Sequence, residues 1–153
     1  MGNTKVKLIA HRGNTNGARL DKENDPEYLL QAVDNGYDCE VDVRVDINGN
    51  VWLGHDEPQY KVTKEFISNP GFWNHAKNLN ALAYMLEHNI RCFWHEGDER
   101  TLTSDGFIWT YPNKEVTSIS VICLVNEDDA IPANCYGICS DWVSKYNIMR
   151  IGT

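Results

Sequence analysis

Apolar positions in the first part of the chain follow the period of a β-strand and then that of an α-helix. Residues 5–11 alternate between two faces, which predicts a strand. After a polar loop, Asp25, Pro26 and Glu27 provide the N-cap, the proline and the acidic first turn of a helix. The apolar residues that follow have helical spacing, and the helix is predicted to close at residues 35–36.

A strict alternation of apolar and polar residues over residues 37–47 predicts a second strand. The favoured hairpin pair Asn48-Gly49 follows, and residues 50–56 return as a third strand. If two residues form the loop, Asp42 lies directly opposite His55, with Cβ atoms roughly 5 Å apart. The hairpin is therefore predicted to place a carboxylate and an imidazole on one face.

Beyond the hairpin the pattern changes from mixed helix and strand to mostly strand. Helices are predicted near residues 64–67, over 78–89 and at 141–147, and strands at 90–94, 106–111, 119–125 and 136–139. The order strand, helix, strand, helix, strand predicts a parallel α/β fold. A full eight-fold barrel needs about 250 residues. We therefore expect a reduced or incomplete TIM-like (β/α) barrel, or an open sheet, with several helices missing in the C-terminal third.

Composition narrows the class of protein. The 153 residues suit one domain, residues 1–153. The net charge of −8 repels polyanions, so nucleic acid is not expected as a partner. No apolar run approaches the roughly 20 residues of a membrane span, and the N-terminus has no secretory signal pattern. We expect a soluble cytoplasmic protein, in which binding of a phosphate ester would need local Arg or Lys residues or a cation.

The cysteines add little chemistry to this picture. There are five, an odd number with no Cys-x-x-Cys pair, and buried free thiols are the expected state. A zinc site could be assembled from Cys92, His95, Cys135 and Cys139, but their spacing is unlike that of known zinc motifs.

Two pairs of polar residues could carry chemistry. His11 and Arg12 end the first strand, and parallel α/β folds bind ligands at the carboxyl ends of their strands. They would supply an acid/base group and a phosphate-binding fork there. Glu40 and Asp42, two apart on a strand, point to one side and could hold a hard cation such as Mg²⁺ or Ca²⁺. Each pair could also consist of ordinary solvent-exposed polar residues.

Three stretches together resemble a known family. They are "LIAHRG", "KENDPEYLLQAV" and "GYDCEVDVRVDINGNVWLGHD", in this order within residues 7–58. In sequence and spacing they resemble the glycerophosphodiester phosphodiesterase (GDPD-like) family, whose members are built on a TIM barrel. The resemblance implies a phosphoric diester hydrolase of lipid metabolism. It would be metal-dependent and would act on a glycerophosphodiester-like small molecule.

The resemblance also implies roles for individual residues. His11 and His55 would be the catalytic acid and base, and Arg12 would bind the phosphate. Glu40 and Asp42 would be ligands of the divalent cation, Mg²⁺ or Ca²⁺. One histidine would deprotonate the attacking hydroxyl and the other would protonate the leaving oxygen.

Other positions match the family less well. Glu23 matches the glutamate of a Glu-Asn-Thr motif and would line the same site. The family's third acidic ligand and its lysine, written Glu-x-Lys, have no match on the strand ending near residue 94. His95 is the best substitute as a metal ligand, and Glu96 is the second. "YGICSD" resembles the family's last barrel strand, although Asp141 could equally be a helix cap.

Two alternatives to a hydrolase remain open at this stage. A trimmed GDPD-like module could bind a phosphate ester without turning it over, and a related lyase could release a cyclic phosphate. The sequence does not specify the alcohol portion of the substrate. Apolar strand surface left by absent helices could be covered by a second copy of the chain, which would give a homo-oligomer.

Overall fold

A mixed β-sheet dominates the computed structural model, which describes residues 6–151 and the side chains of residues 6–147. Ten strands and four short helices occur in this span. In chain order they are β1 (Lys7–His11), α1 (Pro26–Asp34), β2 (Asp38–Val45), β3 (Val51–Leu53), β4 (Tyr60–Val62), α2 (Lys64–Ile67), β5 (Phe72–Ala76), α3 (Leu79–Glu87), β6 (Cys92–Phe93), β7 (Arg100–Leu102), β8 (Ile108–Thr110), β9 (Ser120–Leu124), β10 (Gly137–Ser140) and α4 (Val143–Ile151).

Seven of the strands are parallel neighbours. Their order across the sheet is β6, β5, β2, β1, β10, β9, β8. Strands β3 and β4 form an antiparallel extension of β2, and β7 pairs antiparallel with β8. Because the carboxyl ends of parallel strands share one edge of a sheet, the loops that follow β1, β2, β5, β8 and β9 lie at the same edge.

The expected reduced TIM-like (β/α) barrel is wrong, because the protein is a ten-stranded mixed sheet with four short helices. The connections explain the difference. The chain after β2 turns back as two antiparallel strands instead of forming a helix, and β7 supplies a third antiparallel strand. The connections from β8 to β9 and from β9 to β10 contain no helix within the described residues. Among these residues, no helix is long and apolar enough to cross a bilayer.

The two faces of the sheet have different contents. One face packs under α1 and α3, where strand residues such as Leu8, Val41 and Ile138 share a core with Leu29 and Met85. The helix-covered face therefore contains the larger apolar core.

The opposite face carries a smaller, mostly aromatic cluster, made of Ile9, Trp73, Phe93, Trp109, Val121 and Cys139. The rings of Trp73 on β5 and Trp109 on β8 are 5.9 Å apart, although five strand spacings, about 24 Å, separate the two strands along the sheet. The sheet therefore curls strongly, and its two ends meet across this face.

The predicted starts of α1, α2 and α3 are confirmed, whereas the helix predicted at residues 141–147 begins two residues later, at Val143. The Asp25 side chain accepts a hydrogen bond from the backbone N–H of Glu27, and Pro26 opens α1. Thr63 caps α2 in the same way, and Asn78 caps α3. Each cap satisfies a backbone donor that would otherwise lack a partner, which is why short polar residues specify these starts.

The hairpin forms, but its register differs from the prediction. Val43 pairs with Leu53 and Val45 with Val51, because three residues, 47–49, form the loop. Gly49 takes the left-handed conformation (φ 83°) that such a loop requires. Asp42 therefore faces Gly54, and the Gly54 N–H donates to the backbone carbonyl of Asp42. The predicted pairing of Asp42 with His55 is wrong by one residue.

His55 lies in the turn after β3, and Arg44 holds this turn. The guanidinium of Arg44 donates from Nε to the carbonyl of Gly54 (3.0 Å) and from Nη2 to the carbonyl of His55 (2.6 Å). These bonds fix the backbone on which the imidazole is mounted. Arg44, one of the polar residues in the alternating stretch 37–47, thus stabilises the turn after β3.

Replacing Gly54 with alanine is expected to lower the free energy of unfolding by about 1–3 kcal/mol. The added Cβ would overlap the backbone carbonyl oxygen of Glu57, which cannot move without disturbing the turn. Chemical denaturation measures the change. Gly97→Ala is the matched control, because nothing lies within 4 Å of a Cβ added there. Equal stability of the two variants would show that the turn relaxes freely.

Candidate functional site

A cavity of about 500 Å³ opens at the carboxyl edge of the parallel strands. It brings together residues that the sequence analysis singled out from four different parts of the chain. Those that line it are His11, Arg12, Glu40, His55, His95 and Glu96. Asp42 and Glu23, the other two predicted site residues, contact the Arg12 side chain.

Two carboxylates and an imidazole form a cluster at the base of the cavity. Glu40 and Asp42 project from the same face of β2, and His75 on the neighbouring strand β5 is in register with Asp42. The Nδ1 atom of His75 lies 3.6 Å from Glu40 Oε2 and 3.7 Å from Asp42 Oδ1. One ligand atom from each residue falls within 4.8 Å of the others, so the cluster could hold a metal ion.

The cluster is buried, and one oxygen of each carboxylate and one nitrogen of the imidazole lack a hydrogen-bond partner. Glu40 is 3% exposed and Asp42 is fully buried. Glu40 Oε1 and Asp42 Oδ1 accept no hydrogen bond, and His75 Nε2 has no partner either. Buried carboxylate oxygens without partners are costly, and a cation between them would satisfy both.

The surroundings of the two carboxylates shift their pKa values in opposite directions. Burial raises the pKa of Asp42, and the charge of Glu40 raises it further. Burial opposes the charged form of Glu40 too, but contact with His75 and the charge of His11 hold the pKa of Glu40 below its usual value. Two negative charges with ligand oxygens within 4.8 Å of each other repel, and a divalent cation bound between them would attract both.

His11 is held by an aspartate from the far end of the chain. Its Nδ1 lies 2.8 Å from Asp141 Oδ1, and its Nε2 faces Glu40 Oε1 at 3.9 Å. Burial alone would lower the pKa of His11, but the hydrogen bond to Asp141 and the charge of Glu40 outweigh it and raise the pKa to about 9. The hydrogen bond to Asp141 orients the imidazole so that Nε2 faces the cluster of Glu40, Asp42 and His75, which we call the cation cluster.

Arg12 lies between two carboxylates. Its Nη1 donates to Glu23 Oε1 (3.0 Å), and its Nε is 3.1 Å from Asp42 Oδ2. The backbone at Arg12 is left-handed (φ 55°), an unusual conformation for a residue with a side chain. Strain of this kind concentrates at functional sites, and here it turns the guanidinium back toward β2.

Two buried asparagines support this site: Asn24, which follows Glu23 as in the Glu-Asn-Thr motif, and Asn14, which the sequence analysis does not single out. Asn14 donates from Nδ2 to Glu23 Oε2 and to Asp141 Oδ1. Asn24 donates to Asp42 Oδ2 (2.9 Å) and accepts from the Asp42 backbone N–H. These bonds connect the loop after β1 to Glu23, Asp42 and Asp141, and no feature of the sequence marks Asn14 for such a role.

The remaining predicted residues occupy the mouth of the cavity. His55 lines it despite the shifted register, and its Nδ1 lies 2.8 Å from Asp56 Oδ1. His95 stacks on the ring of His75, with centroids 4.7 Å apart. Burial lowers the pKa of His95, and His75 lowers it further. Neither His95 nor Glu96 belongs to the three-residue cluster found among the described residues.

His75 was missed because β5 was missed. The sequence analysis predicts no strand between the helices at residues 64–67 and 78–89, yet "NPG" marks a turn there and the following "FWNHA" is buried at four of its five positions. The turn and the Asn78 cap bound a segment of strand length, but Asn74 and His75 interrupt its apolar residues and weaken the signal. Strand β5, which ends in His75-Ala76, is the parallel neighbour of β2, whereas the Glu-x-Lys match was sought on the strand that ends near residue 94.

Comparison with known proteins leaves the site to be interpreted from its own geometry. No protein-family model, no curated protein and no solved structure matches this chain. The resemblance to the GDPD-like phosphodiesterases therefore stays a prediction from three sequence stretches. The chemistry of the cavity has to be argued from its residues.

Proposed function

We propose that this protein is a cytoplasmic, divalent-cation-dependent hydrolase of small-molecule phosphodiesters. One observation carries the proposal. The unpartnered oxygens of Glu40 and Asp42 converge with His75 in a cavity that also contains an oriented imidazole, His11, and a guanidinium, Arg12. A site for cleaving a phosphodiester needs charge neutralisation and proton transfer together, and this cavity supports both.

Each part of the reaction has a residue to perform it. The cation would neutralise charge on the phosphate and so favour attack at phosphorus. Arg12 binds a non-bridging oxygen, held in place by Glu23 and Asp42. His11 and His55 divide the acid and base roles, and the Asp141 hydrogen bond keeps the His11 ring turned toward the cluster. Lys77, on the cavity wall, adds a further positive charge.

The donor set accommodates a cation and bears on its identity. Two carboxylates are suitable ligands for Mg²⁺ or Ca²⁺, the cations implied by the sequence. His75 adds a nitrogen donor, which suits Mn²⁺ or Zn²⁺ better than Ca²⁺. We therefore expect Mg²⁺ or Mn²⁺ to support turnover better than Ca²⁺.

A metal-dependence assay tests the function directly. The chelator-treated protein is incubated with bis(p-nitrophenyl) phosphate or glycerophosphocholine and with Mg²⁺, Mn²⁺, Ca²⁺ or Zn²⁺ in turn. Release of the alcohol that appears only with added cation is the expected result. Phosphorus NMR of the product separates a hydrolase from a lyase, because a lyase leaves a cyclic phosphate. Cation binding without turnover of any diester would reduce the protein to a binding module and overturn the proposal.

Replacing His55 with alanine is expected to lower the turnover number by about 10²-fold, the lower end for a general acid or base. Its ring is oriented only by the neighbouring Asp56, whose side chain is itself exposed, so its position is less fixed than that of His11. Steady-state kinetics with the preferred cation measures the effect. His88→Ala, which removes an exposed histidine at the end of α3, is the matched control. Turnover equal to wild type would remove His55 from the mechanism.

A further inference from the structure

Part of the cavity wall has no task in the chemistry proposed above. It is formed by Trp109 on β8, Tyr111 and Pro112 directly after β8, and Val125 directly after β9. We call these four residues the apolar wall. They lie at the carboxyl ends of their strands, the same edge that presents His11 and the cation cluster.

The apolar wall is unusually exposed for such large side chains. Tyr111 is 55% and Val125 is 62% exposed. Trp109 is only 5% exposed and is fixed from behind, because its ring stacks on Phe93 with centroids 4.4 Å apart. A rigid aromatic base with an open apolar rim is the form of a surface that becomes covered when an apolar group enters the cavity.

Charge limits what that group can be. Glu96 and Asp98 are exposed residues that also line the cavity, and the whole chain has a net charge of −8. A second phosphate or a carboxylate on the substrate would be repelled here. The positive groups, Arg12 and Lys77, provide for one anionic centre, the phosphodiester itself.

We propose that the apolar wall is a specificity subsite for the alcohol portion of the substrate. The preferred substrates are then phosphodiesters in which one alcohol carries an uncharged apolar chain. This inference rests on the proposed function for the position of the phosphate, but the subsite itself can be measured by binding alone. Glycerol, with a hydroxyl on every carbon, would leave the wall uncovered.

A homologous series of n-alkylphosphonates tests the subsite, because the carbon–phosphorus bond resists hydrolysis. Methyl-, butyl- and octylphosphonate are titrated into the full chain with Mn²⁺ present, and heats of binding give the dissociation constants. Each methylene buried against the wall is expected to tighten binding by about two- to fourfold. Choline phosphate, in which the alcohol carries a quaternary ammonium group, is included as a competitor with a cationic head group.

Substitutions in the wall localise the effect. Tyr111→Ser and Val125→Ser are expected to weaken octylphosphonate by about tenfold or more and to leave methylphosphonate unchanged. Leu102→Ser is the matched control, because Leu102 is also a large exposed apolar residue (69%) but lies on β7, outside the cavity lining. It is expected to bind the series as the wild type does.

The outcomes separate this inference from the function on which it rests. Equal affinity for methyl- and octylphosphonate, or an unchanged series in both wall variants, overturns the subsite even if diesters are hydrolysed. Tighter binding of choline phosphate than of octylphosphonate would also overturn it, in favour of a cation-binding wall. Chain-length dependence that is lost in the wall variants, with no diester hydrolysed, would uphold the subsite and refute the hydrolase.

Discussion

Replacing Glu40 with glutamine is expected to weaken divalent-cation binding by about 100-fold or more and to abolish cation-dependent turnover. Residues that only support a metal ligand are worth 10- to 100-fold in affinity, and Glu40 offers an unpartnered oxygen to the cation directly. The change keeps the shape of the side chain and removes its charge. The buried cluster would then have one carboxylate, Asp42, to hold the ion.

Thermal unfolding measures this effect without an activity assay. At a cation concentration about 100 times the dissociation constant, binding stabilises the wild type by about 2.7 kcal/mol, and its melting temperature rises. At the same concentration the Glu40→Gln protein, with binding about 100-fold weaker, should gain at most about 0.4 kcal/mol, and its melting temperature should hardly rise. Glu87→Gln, an exposed position on α3, serves as the control and should respond as the wild type does. An equal rise in Glu40→Gln would place the ion elsewhere.

Replacing His11 with alanine is expected to lower the turnover number by about 10³- to 10⁴-fold, the upper range for a general acid or base. His11 is oriented by Asp141 and faces Glu40, so no solvent molecule can take its place with the same geometry. Cation binding should survive, because His11 is outside the three-residue cluster. The variant therefore separates proton transfer from charge neutralisation.

Two measurements distinguish a loss of proton transfer in His11→Ala from a loss of cation binding or of folding. The cation-induced rise in melting temperature is compared with that of the wild type, and circular dichroism confirms that the sheet has formed. Asp141→Asn should give an intermediate loss of turnover, because the asparagine can still bond to the ring but carries no charge. Turnover near the wild-type rate in His11→Ala would refute its role, whatever the cation does.

Local structure was predictable where a single stretch of chain determines it. The start of α1 follows from Asp25 and Pro26, and the hairpin follows from the alternation of residues 37–47. The hairpin register was not predictable, because two- and three-residue loops both tolerate Asn48-Gly49 and the choice depends on the backbone. In the structure Asp46 accepts the N–H groups of Asn48 and Asn50, which stabilises the longer loop.

The wider architecture was predicted less well. Strand β5 contains Asn74 and His75 among its apolar residues, so it has neither a pure apolar run nor a clean alternation. Because no strand is predicted there, the sequence does not indicate His75 as the third member of the cation cluster, and it suggests His95 instead. The polar residues of β5 are stable in the interior because Asn74 bonds to two backbone carbonyls and His75 meets the carboxylates of β2. Such compensation exists only in the folded chain.

The cation cluster and the acid/base pair are assembled from very different spans of the chain. Glu40, Asp42 and His75 lie on neighbouring strands, whereas His11 and Asp141 are 130 positions apart and meet only when β10 pairs with β1. At about 5–20 residues per second, several seconds of synthesis separate His75 from Asp141. The three residues of the cluster are therefore synthesised several seconds before the aspartate that orients His11, so the acid/base pair is the last part of the cavity to be completed.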